Sequence, residues 1–182
     1  QKVRVEVFAS NGPEHEAKVF KLVNLDRTKM NTHEQFQALL TSHDETAWEV
    51  KEAVESCGYK IVMGKSHTER CAAKGLTCIS VLMKAARIST QGIPAIKFAL
   101  SCAAQAWPED RLGVWALIVS GLCVFYARME GIVDMERVIP RLTTVTPQKI
   151  VYKATQLAIS GDRAASVANV LDEVYKKRIV KR

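Results

Sequence analysis

The sequence predicts a mainly α fold, a multi-helix bundle around one buried helix, with one or two short strands near the N-terminus. Three observations predict it. An uncharged stretch runs from Leu112 to Ala127, closed by Arg111 and Arg128. Apolar residues on either side of it recur at helical spacing. Hydrophobic residues make up 48% and charged residues 25% of the 182-residue chain, the balance of a folded polypeptide rather than a disordered one. At about 1.5 Å per residue the stretch is roughly 24 Å long as a helix, short of the roughly 30 Å of a bilayer core. It reads as a helix over about residues 109–130, buried on most faces, and no membrane partner is expected.

Val3, Val5 and Val7 alternate with Arg4 and Glu6, which predicts a half-buried strand over Lys2–Phe8. The chain meets this strand directly at Gln1, without a Met, and reads as a piece of something longer. Asn11-Gly12-Pro13 breaks the chain, and a helix follows from Pro13 to about Leu25, with Glu14 and Glu16 suited to its first turn. Asn31-Thr32-His33-Glu34 is a capping box for the next helix, and Ser42-His43-Asp44-Glu45 a second one for the helix that ends at Gly58. Tyr59–Met63 is β-prone. Gly64–Gly75 is polar and basic and reads as a loop or β-excursion. A helix with Ile79, Leu82 and Met83 on one face runs from Thr77 to Arg87, and Gln91-Gly92 breaks it.

Pro94–Trp107 reads as a helix rich in alanine, whose small side chains allow close approach to the central helix. Asp134 caps a short helix, which Pro140 either kinks or limits to a first turn. Thr146-Pro147 starts another, stopped by Gly161, and Asp162 starts the last. The expected organisation is an N-terminal strand-helix portion, residues 1–63, and a helical domain, residues 64–182.

The net charge is +7, and its distribution is uneven. Residues 1–59 carry −3, residues 60–111 carry +5, residues 112–148 are neutral and residues 149–182 carry +5. Any nucleic-acid face is therefore expected after residue 60; solvated helix faces are the plainer reading of the same blocks. Cys57, Cys71, Cys78, Cys102 and Cys123 form no Cys-x-x-Cys pair, which suggests free thiols in a reducing compartment and no zinc site. The four histidines make no metal-ligand spacing. No Gly-x-x-x-x-Gly-Lys loop, Gly-x-Gly-x-x-Gly turn or Gly-x-Ser-x-Gly elbow is present. Paired acids such as Asp44-Glu45 sit at helix starts, where capping accounts for them, so no catalytic residue is assigned.

Three features remain. Asn24 and Arg27 flank a helix end, where Arg27 has the geometry to grip a phosphate; basic C-capping is the alternative. The helix before Gly58 and the helix Thr77–Arg87 loosely suggest a helix-turn-helix with a long connection, offering Lys74, Ser80, Lys84 and Arg87 to DNA. The C-terminal run with Lys176, Lys177 and Arg178 offers backbone contacts, or is a solvated helix end.

The segment Phe20-Lys21-Leu22-Val23-Asn24-Leu25-Asp26-Arg27 resembles the Glu-Asn-x-x-Arg segment of the ParB/sulfiredoxin-like superfamily, in its phage-borne members. Asn24 and Arg27 match, and Val23 stands at the Glu position. Lys2–Phe8 looks like the last strand of that family's small α/β domain. Asp44–Ile61, Ala106-Trp107, Ile118–Leu122 and Val170–Tyr175 look like its later elements. The family's Gly-x-x-Arg nucleotide motif is absent and would precede Gln1. The resemblance implies nucleotide or phosphate binding at Asn24 and Arg27, with Mg if an upstream domain exists. It also implies association with phage DNA in the cytoplasm of a bacterial host. The expectation is a DNA-binding helical module. The alternatives are the C-terminal part of a nucleotide-dependent enzyme and a structural or homo-oligomerising module.

Overall fold

The computed structural model describes residues 11–25, 31–62, 74–88, 90–157 and 162–176. The strand expected over Lys2–Phe8, the residues Arg27, Lys177 and Arg178, and most of the Gly64–Gly75 segment lie outside them. The fold is mainly helical, with nine α-helices and two short parallel strands among the described residues. The chain divides into two compact units, residues 1–48 and 49–182.

In the first unit, α1 (Pro13–Leu25) packs against α2 (Thr32–Thr41). The capping box at Asn31 forms as its spacing predicts. Asn31 Oδ1 accepts from the backbone N–H groups of His33 and Glu34, each at 3.0 Å, and Glu34 returns a carboxylate to the Asn31 N–H at 3.1 Å. The second box forms differently. Ser42 closes α2, its hydroxyl donating to the Leu39 carbonyl at 3.1 Å, and Asp44 caps α3 (Glu45–Ser56) by accepting from the Ala47 N–H at 3.0 Å. The reversal between the helices is tight enough to hold His43 at φ 53°. This leaves the serine on the end of one helix and the aspartate on the start of the next.

In the second unit, Gly58 (φ +77°) ends α3 in a left-handed conformation that glycine adopts freely. β1 (Lys60–Ile61) pairs in parallel with β2 (Gly75–Leu76). The helices α4 (Ile79–Ile88), α5 (Gly92–Ala106), α6 (Ala116–Arg128), α7 (Met135–Leu142), α8 (Pro147–Leu157) and α9 (Arg163–Lys176) follow. The apolar helix α6 is the centre: it packs on α4, α5, α8 and α9. Ile118, Val119 and Leu122 are fully buried on it. At Gly121 a side chain would meet Val167 Cγ1 at 2.2 Å, so the missing Cβ is what lets α9 approach this closely.

The central helix is shorter than its apolar stretch. Residues 109–115 do not join it. A 3-10 turn over Arg111–Val114, capped by Asp110 through the Leu112 N–H at 2.9 Å, precedes it, and Trp115 is extended (φ −65°, ψ 143°). Trp107 packs against this turn. Its ring lies over Gly113, where an added Cβ would come within 3.2 Å, and its indole N–H donates to the Val145 carbonyl at 2.8 Å. The small Gly113 lets the turn pack under this ring. Trp115 is left 50% exposed.

Asp134 caps α7 as its position predicts, accepting from the Glu136 and Arg137 N–H groups. Pro140 lies inside this helix, past its first turn. α5 begins at Gly92, ahead of the expected start at Pro94. Among the described residues no helix is long and apolar enough to cross a membrane.

Candidate functional site

Four exposed basic residues without an acidic partner among the described residues lie on or next to β1, β2 and α4. The helix α4 reads Ile-Ser-Val-Leu-Met-Lys-Ala-Ala-Arg-Ile and contains no acid. Ile79, Leu82 and Met83 are buried, so Ser80, Lys84 and Arg87, at i, i+4 and i+7, share the opposite, exposed face. Lys74 is exposed just before β2, and its carbonyl accepts from the Lys60 N–H at 2.9 Å. The ladder thus brings the backbones of the exposed Lys60 and Lys74 together, with Gly75 as the partner of Lys60. Lys60, Lys74, Lys84 and Arg87 have no acidic partner among the described residues, whereas Lys18, Lys51, Lys153 and Lys176 are each matched with one. Exposed cations without acidic partners leave positive charge available to an anion.

Lys60 was not legible as part of this group, because its neighbour is supplied by a non-local strand pair. The helix-turn-helix reading does not survive. A parallel ladder stands between α3 and α4 where that motif has a three- or four-residue turn. Lys176 forms an i, i+4 pair with Asp172 at 2.5 Å. Tyr175, the aromatic near the basic tail, is buried: Phe125 meets its ring edge-on at 5.7 Å and the Arg137 guanidinium sits 4.6 Å from its centroid. Its face is already occupied and offers no platform to a base. Asn24 lies in the last turn of α1, within the first unit.

Behind Lys84 the second unit contains a half-open cavity of about 300 Å³, walled by α4, α5, α6 and the start of α9. Its lining is mainly apolar, with Cys123 at the wall and Lys84 and Asp162 as its charged groups. Asp162 is committed to capping, its Oδ1 accepting from the Ala164 and Ala165 N–H groups at 3.0 and 3.1 Å.

The buried thiols are chemically quiet. Burial pushes Cys123 and Cys102 up to about 12 and Cys78 up to about 11, and Cys123 donates to the Ala95 carbonyl. A thiol held this far above neutrality supplies almost no thiolate for nucleophilic work. In native protein these three are expected to resist a thiolate-seeking disulfide reagent at pH 8 and to react once denaturant is added. Fast labelling of any of them in the native state would contradict this burial. The same shifts set an alkaline limit. An unfolded chain releases these protons near the ordinary value of 9.0, while the folded chain keeps them. The unfolded state then binds fewer protons, so stability falls as pH climbs from about 9 towards 12.

Among the described residues no group of three or more His, Cys, Asp or Glu side chains is placed to hold a metal ion. Comparison with family models, with curated proteins and with solved structures finds no match for this chain.

Proposed function

We propose that the chain is a helical nucleic-acid-binding module that holds the phosphate backbone of DNA on the face formed by Lys60, Lys74, Lys84 and Arg87. One observation carries the reading: four exposed cations on adjoining elements lack acidic partners among the described residues. The second unit supports it as a whole, with 20 Lys/Arg against 12 Asp/Glu, a net +8. A face of this kind binds by charge and displaces counterions, with little reading of base edges. A salt titration of duplex binding tests it. Four phosphate contacts give a log–log slope of about −3.6, so affinity is expected to fall roughly hundredfold between about 50 and 200 mM salt. Affinity indifferent to salt would remove the proposal.

The narrower form of the proposal makes this module part of a phage-borne ParB/sulfiredoxin-like protein. Its support is the Asn-x-x-Arg spacing of Asn24 and Arg27 in the sequence. Titration with a nucleoside triphosphate and Mg is expected to show binding that Arg27→Ala weakens. No binding, or binding that Arg27→Ala leaves intact, would count against that form while leaving the DNA-binding face untouched.

A further inference from the structure

The cavity behind Lys84 is built rather than accidental. Two glycines bring its walls together. Gly92 brings the start of α5 onto α4, where a Cβ would meet the Ala85 carbonyl oxygen at 2.4 Å, and Gly121 brings α6 onto α9. Between these close approaches much of the lining is small, Ala85, Ala95, Ser120, Ala127 and Ala164, with Val81, Gln91 and Val124 among its larger side chains. Helices held at fixed spacing by glycine, with alanine and serine facing the gap, cannot close it by moving together. The space therefore persists, at the small end of the range for small-molecule sites.

Its chemistry is asymmetric. The walls are largely aliphatic, and the charge at the mouth is unequal. Asp162 spends an oxygen on the first N–H groups of α9, and the positive end of that helix offsets its charge. Lys84 has no acidic partner among the described residues, lines the cavity and is exposed, as suits a side chain with an apolar stem and a charged head.

The geometry points to a binding site for a small amphipathic monocarboxylate, with its aliphatic or aromatic body between α4, α5 and α6 and its carboxylate on the Lys84 ammonium. The site lies beyond the nucleic-acid reading and stands without it, since the cavity needs no phosphate backbone. The two share Lys84, so the proposals are tested with different ligands.

Octanoate and its uncharged counterpart octanol are suitable probes, titrated into the full chain and followed by amide chemical shifts and calorimetry. Octanoate is expected to bind saturably at millimolar concentration or tighter, with shifts clustered at Ala95, Ser120 and Ala127. Octanol should bind about tenfold more weakly, the worth of one charge-assisted contact. Lys84→Met keeps the stem and removes the charge, and should make the two ligands equal. Ala127→Trp, on an exposed position of α6, fills the cavity and should abolish both. Asp162→Asn keeps a capping oxygen and should tighten octanoate alone. Absence of saturable octanoate binding overturns the proposal. So does equal affinity for octanol in the unmodified protein, or unchanged octanoate affinity in Ala127→Trp. Loss of DNA binding without loss of octanoate binding would sink only the nucleic-acid reading.

Discussion

Phe125→Ala is expected to lower the unfolding free energy by about 3–5 kcal/mol, as measured by denaturant titration. Phe125 is 2% exposed on the central helix. Its ring lies 6.2 Å from Phe98 on α5 and 5.7 Å from Tyr175 on α9. Truncation loses the transfer free energy of the ring and leaves a hole between three helices. The glycine contact of α6 with α9 at Gly121 keeps those helices from relaxing into it. Against a typical total of about 5–15 kcal/mol, a loss of this size puts a sizeable fraction of the chain in the unfolded state. A loss below about 1 kcal/mol would mean that α6 is not the packing centre.

Lys84→Glu with Arg87→Glu should weaken DNA binding roughly hundredfold near 50 mM salt and flatten the salt slope by about two, because two phosphate contacts and their released counterions are removed. Both residues are on the solvent face of α4, away from Ile79, Leu82 and Met83, so melting temperature should hardly change. Lys153→Gln is the comparison. Lys153 already faces Glu173, and removing it should leave the slope nearly as it was. Filter binding or fluorescence anisotropy across several salt concentrations reads both. Equal effects from the two variants would mean that net charge, rather than this face, governs binding.

The helices were largely legible in advance because their signals are local. Asn31 and Asp134 accept the first free N–H groups of their helices, as the residue types foretell. The spacing of Ile79, Leu82 and Met83 marks the buried side of α4, and that same spacing puts Ser80, Lys84 and Arg87 outside. The site was half legible. Lys74, Lys84 and Arg87 stand out as basic residues near an amphipathic helix, but Lys60 joins them only through the ladder. The cavity left no trace in the sequence at all. Alanine and glycine read there as close helix packing, and which small residues face a void depends on where the glycines bring the neighbouring helices.

Sequence alone determined the class of the protein, a helical bundle around one uncharged apolar stretch, because amphipathic period, capping and hydrophobic burial act over a few residues and are written at their own positions. Tertiary structure decided the rest. The start of the apolar stretch left the central helix for a turn packed under the ring of Trp107, whose indole reaches the distant Val145 carbonyl. Ser42 and Asp44 divided one expected box between two helices because the reversal between them is tight. Lysines far apart in the chain became neighbours because a parallel pair of strands joined them. Each of these outcomes is a contact between distant residues, and its energy exists only once the chain has closed the loop between them.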